Sequence, residues 1–183
     1  MRRLLTLTLL TSVCLGFPGS AQATLLRGLS LDHLSRRSSV IVRGKVVARV
    51  AAWKGGRIYT RVTLRVAGSL RGNHRPGQSV SFWRLGGRVG RYAQLVRGAP
   101  SFSQGDRVLV FLHRRGSYLF VTGMVQGRFT IHRAPATGQA TVTQALTGAQ
   151  LLGGQRALRR PTTLARFEQR IRAALRSGKG APP

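Results

Sequence analysis

From Ser39 onward, apolar residues fall on every second position. Val40, Val42, Val46, Ala48 and Val50 share one face of an extended segment, and Arg43, Lys45 and Arg49 share the other. Trp53-Lys54-Gly55-Gly56 then turns the chain. The returning segment repeats the pattern, with Ile58, Thr60, Val62, Leu64 and Val66 inward and Arg57, Tyr59, Arg61, Thr63 and Arg65 outward. This predicts a long amphipathic hairpin. With the turn centred on Trp53 and Lys54, Arg49 falls near Tyr59, Val47 near Arg61, and Arg43 near Arg65, all on one surface.

Shorter segments follow at the spacing of an all-β fold: 79–83, 91–96, 107–112, 118–121 and 128–132, separated by glycine-rich turns such as Gly86-Gly87 and Gly105-Asp106. Val108-Leu109-Val110-Phe111-Leu112 does not alternate, which predicts a central strand buried on both faces. Ser30 suits the N-cap of a short helix carrying Leu31 and Leu34 and ending near Arg37. Near the C-terminus, Pro161 suits the first turn of a helix striped by Leu164, Phe167, Ile171 and Leu175. That stripe either packs on the sheet or lies on an anionic membrane surface. The expected fold is mainly β: a small closed OB-like barrel of about six to seven antiparallel strands, with a short N-terminal helix and a C-terminal amphipathic helix.

Met1-Arg2-Arg3, the apolar run from Leu4 to Phe17, and Ala21-Gln22-Ala23 read as a signal peptide cut after Ala23, which implies a secreted or periplasmic protein. A retained anchor fits less well, because fourteen apolar residues are too few to cross a bilayer. The single cysteine, Cys14, lies inside that run, so a chain cut after Ala23 has no thiol chemistry. The expected division is a signal peptide over 1–23, a barrel with its leading helix over 24–133, a linker or extra hairpin over 134–160, a helix over 161–176 and a disordered tail over 177–183.

The quoted strand and turn residues resemble a group of uncharacterised secreted bacterial proteins with a small OB-like barrel, and more loosely the netrin and tissue-inhibitor-of-metalloproteinase type of barrel. The resemblance is carried by Val40-Ile41-Val42-Arg43-Gly44-Lys45-Val46-Val47, Leu70-Arg71-Gly72, Arg97-Gly98-Ala99-Pro100, the segment from Gly105 to Leu112, and Gln126-Gly127-Arg128-Phe129. It implies a barrel fold. The animal inhibitors use a free N-terminal cysteine, which a chain beginning at Thr24 lacks, so inhibition is not carried over.

Composition narrows the chemistry. Lys and Arg number 31 against 3 Asp and Glu, a formal charge of +28. Asp32, Asp106 and Glu168 are far apart in sequence, which leaves nothing for a pair of catalytic carboxylates. His33, His74, His113 and His132 show no metal-ligand spacing, and no nucleophile or nucleotide motif occurs. The expectation is a protein that is not an enzyme, with no catalytic residue, no metal and no cofactor.

What remains is the hairpin face, formed by Arg43, Lys45, Arg49, Arg57, Tyr59, Arg61 and Arg65. Like charges directly opposite one another destabilise strand pairing, and no acid is near in sequence to offset them. A polyanion supplies that charge and releases counterions on binding. Acidic polysaccharide, lipid headgroups and nucleic acid all qualify. The alternative partner is a secreted protein, such as a protease, modulated through the barrel rim and the 86–100 loop.

Overall fold

The computed structural model describes residues 24–153, 156–158 and 160–177. The expected signal peptide over 1–23 lies outside them, as does the expected tail over 177–183 apart from Ser177, which ends the last helix. Strand β1 (Thr24–Arg27) leads to helix α1 (Leu31–Arg37), where the Ser30 hydroxyl accepts from the His33 N–H at 3.2 Å. The long hairpin is β2 (Val40–Lys54) and β3 (Arg57–Arg71), followed by β4 (Ser79–Leu85) and the small hairpin β5 (Gly87–Val89) and β6 (Tyr92–Gln94). Next come β7 (Arg107–Arg115), β8 (Tyr118–Val121), a 3-10 turn at Met124–Gly127 and β9 (Arg128–Arg133). The chain ends in β10 (Ala140–Thr143), β11 (Ala149–Leu152), β12 (Thr162–Thr163) and α2 (Leu164–Ser177).

Eight strands form one sheet in the order β12-β10-β9-β7-β2-β3-β4-β8, and β8 also pairs with β7. The sheet thus bends into a partial ring. Its last side is a single parallel pairing, Trp83 with Phe120. This count exceeds the six or seven antiparallel strands expected, because β10, from the stretch expected as a linker or extra hairpin, pairs with β9, and β12, from the start of the expected helix, pairs with β10; β11 lies outside this sheet and pairs in parallel with β1. The expected strand at 91–96 shortens to β6 and pairs only with β5.

Two cores lie on the two sides of the sheet, and β7 belongs to both. Val108, Val110 and Leu112 face Val42, Val62, Leu64, Phe82 and Phe102 inside the ring. Leu109 and Phe111 face outward against Ile41, Phe129 and the helices. That is why the run has no alternation. In the outer layer, the Phe129 ring sits 5.5 Å from Phe111 and 4.8 Å from Phe167 of α2. The apolar stripe of α2 is therefore spent on the sheet, with Phe167 and Ile171 fully buried, rather than left for a membrane. The helix starts at Leu164, later than Pro161, since Thr162 and Thr163 pair with β10 first. Among the described residues, no helix is long and apolar enough to cross a membrane.

The candidate cation-aromatic cleft

The hairpin register decides which cations share a face, and it differs from the expected one. Gly55 and Gly56 both take positive φ, +55° and +70°, as a two-residue type I′ turn requires. The turn centre therefore lies between them, not at Trp53 and Lys54. Lys54 pairs with Arg57, Ala52 with Tyr59, Val50 with Arg61, and Arg49 with Val62. A bulge at Val47 shifts the register so that Lys45 stands opposite Arg65, and a second irregularity at Ala67 puts Arg43 opposite Gly68.

A one-residue slip sends a side chain to the other face. Arg49 accordingly shares the side of Val62, where its Nη1 donates to the Phe102 carbonyl. It leaves the expected basic surface. Arg43 stays on the outer face, but its charge is met by Glu168 of α2 at 2.7 Å, and Glu168 also holds Arg172 at 3.3 Å. A carboxylate 125 residues away thus supplies a counter-charge that sequence proximity did not suggest. Asp106 is likewise engaged with Arg128 at 3.1 Å.

Lys45, Arg57, Arg61 and Arg65 remain exposed on the outer face, with Tyr59 half-buried among them. They separate into two zones. At the end near α2, Arg107 of β7 is the cross-strand partner of Lys45, so Arg107, Lys45 and Arg65 form a row over three adjacent strands about 5 Å apart. At the other end, the β2–β3 tip approaches the β7–β8 turn and bounds a cleft of about 710 Å³.

Three cations, Lys54, Arg57 and Arg115, line this cleft together with Tyr59, Trp83, Tyr118 and Phe120. Trp83 and Tyr118 meet edge to face, 5.8 Å between centroids. The Lys54 ammonium lies 3.7 Å from the centroid of Tyr118 and 5.7 Å from that of Trp83, a cation–π arrangement. Arg61 stands next to Trp83 across β3 and β4. None of the protein's three acids lines the cleft.

Sequence reasoning placed Arg57 and Tyr59 at this end but missed Lys54, Trp83, Arg115, Tyr118 and Phe120. A signal was present, since Trp83 and the pair Tyr118 and Phe120 occupy alternate positions in their strands. What periodicity does not reveal is that β4 and β8 become neighbours.

Behind the cleft, the His113 ring is tilted against Phe120, 6.1 Å between centroids, and its Nδ1 is buried without a hydrogen-bond partner. Burial, and then the charge of Arg115, push its pKa below 6.5. His33 is shifted the same way by burial and by Arg37. As pH falls through about 6.5 the unfolded chain takes up protons that the folded one refuses, so stability declines until the lowered folded values are reached. In His113→Phe, thermal melts between about pH 7 and 5 should show a shallower decline, and an unchanged slope would contradict it.

Among the described residues, no group of three His, Cys, Asp or Glu side chains gathers as a metal site. Comparison of the chain with models of protein families, with curated proteins and with solved structures gave no match.

Proposed function

We propose that the protein is a non-enzymatic binding module for an acidic polymer, which it holds at the cleft between the β2–β3 and β7–β8 tips. The observation that carries this reading is the convergence of Lys54, Arg57 and Arg115 with four aromatic rings in an open space lined by no carboxylate. Cations there attract a charged backbone, and ring faces offer stacking to bases or sugar units.

Topology supports the same reading. Strands β2, β3, β4, β7 and β8 run as a three-stranded meander followed by a hairpin, with β4 and β8 parallel. This is the order of an OB-like barrel. Such barrels bind oligonucleotides and oligosaccharides on the face of their second and third strands, between the first hairpin loop and the last. In this reading, Gly55-Gly56 and Gly116-Ser117 correspond to those two loops. Export after removal of residues 1–23, as in the secreted barrels the sequence resembles, is part of the proposal.

The test uses intrinsic fluorescence. Trp53 packs against Tyr92 on the other side of the hairpin, so Trp53→Phe leaves Trp83 as the only indole. Titration with a single-stranded oligonucleotide, and in parallel with a sulfated polysaccharide, should quench Trp83 saturably at low salt. For three engaged phosphates on a single strand, log K should fall against log salt with a slope of about −2. Absence of quenching by both polymers at low salt would overturn the reading.

A further inference from the structure

The inner side of the same hairpin carries a second cluster of cations. Arg49 reaches it because of the bulge at Val47, and Arg84 reaches it as the cross-strand partner of Thr60. Beneath them the chain folds back sharply after β4. The Gly86 N–H donates to the Ile58 carbonyl at 2.7 Å, and the Thr60 hydroxyl donates to the Gly86 carbonyl at 2.6 Å. Gly87 then lies so close that a Cβ there would collide with the Thr60 hydroxyl. The Gly86-Gly87 pair thus has a structural task. It lays β5 and β6 across the hairpin and closes a pocket of about 440 Å³ lined by Arg49, Arg84, Arg88 and Gln94 among others.

Two of these guanidinium groups are near enough to disfavour each other. Burial, and then the charge of Arg49, lower the pKa of Arg84. Among the described residues, each has one hydrogen bond to a protein carbonyl: Arg49 to that of Phe102, and Arg84 to that of Leu85 at 3.5 Å. A guanidinium has five N–H groups, so most of this donor capacity is left for another partner. The pocket lining contains no acid, and Asp106 and Glu168 are engaged elsewhere. Gln94 is fixed in place, its Oε1 accepting from the Ile58 N–H at 2.8 Å.

We propose that this pocket binds a phosphate or sulfate group, held by the Arg49 and Arg84 guanidinium forks with Arg88 at the mouth. Planar forks match tetrahedral oxyanions two bonds at a time, and a doubly charged anion offsets the repulsion between the two arginines. The site shares no lining residue with the outer cleft and stands independently of it.

The experiment is a thermal melt and calorimetric titration of the full chain at constant ionic strength, with sodium chloride replaced stepwise by sodium phosphate or sulfate. Phosphate should raise the melting temperature where chloride does not. In Arg49→Gln with Arg84→Gln, binding should weaken by about tenfold or more. Should that variant fail to fold, Arg88→Ser, at an exposed position, should still bind phosphate several-fold more weakly than the parent. The response should persist in Arg57→Glu with Arg115→Glu, which alters only the outer cleft. Retained binding in the inner variants, equal stabilisation by chloride, or loss of the response in the outer-cleft variant would each overturn the proposal. A sugar phosphate monoester binding more tightly than inorganic phosphate assigns the ligand as an ester; equal or weaker binding assigns the free ion.

Discussion

Arg57→Glu combined with Arg115→Glu should reduce affinity for a single-stranded oligonucleotide by about a hundredfold or more near 0.1 M salt. Each substitution removes a cation from the cleft wall and adds an anion among the remaining ones. The two positions also come from the two different hairpin tips, so the pair tests whether those tips act together. The dependence on salt should flatten as well, by about 1.4 units of the log–log slope for two lost phosphate contacts on a single strand. Arg57 is exposed and Arg115 sits at the end of its strand, so the fold should tolerate both changes. The measurement is the Trp83 titration repeated across a series of salt concentrations. The companion variant Lys45→Glu with Arg65→Glu alters the row near α2 and should cost clearly less. Equal losses in the two variants would mean that a diffuse positive surface, rather than the cleft, holds the polymer.

Phe129→Ala should be the most damaging single truncation for stability, at about 3–5 kcal/mol. The ring is fully buried and bridges Phe111 on the sheet to Phe167 on α2. Removing it leaves a void between two layers that are each fixed by other contacts, so the site cannot collapse to fill it. The loss is a large part of the 5–15 kcal/mol that usually separates folded from unfolded chains. Urea unfolding followed by circular dichroism should show a lower midpoint with a similar slope. A loss below about 1 kcal/mol would mean that α2 is not tied to the sheet through this ring.

Periodicity made the hairpin, the doubly buried β7 and the short helix after Ser30 legible, because each writes its own apolar pattern, or lack of alternation, into one continuous segment. Register was not legible in the same way. Trp53, Lys54, Gly55 and Gly56 offer several turn centres, and only the need for two positive φ angles selects the glycines. The bulge at Val47 leaves no mark either, since valines and alanines stand on both sides of it. These two details moved Arg49 to the opposite face and gave the inner pocket its second arginine. The cleft aromatics were hidden for a different reason. Trp83 and Phe120 meet only where β4 touches β8, through one pairing between segments far apart in the chain. Glu168 reaches Arg43 over a much longer separation, 125 residues. The alanine- and threonine-rich stretch after residue 134 allows a linker or an extra hairpin, but carries too few apolar residues to announce that β10 joins β9 and β11 joins β1.

The pairing of β1 with β11 sets an order of assembly. Thr24 to Arg27 find their strand partners at Ala149 to Leu152, with Gln126 also donating to the Arg27 carbonyl, so the start of the described chain stays unsatisfied until most of the rest has been made available. Closing so distant a contact is slow compared with forming a local hairpin. In the proposed export of the chain, such a late clasp would keep segment 24–27 loose until segment 149–152 is available to it.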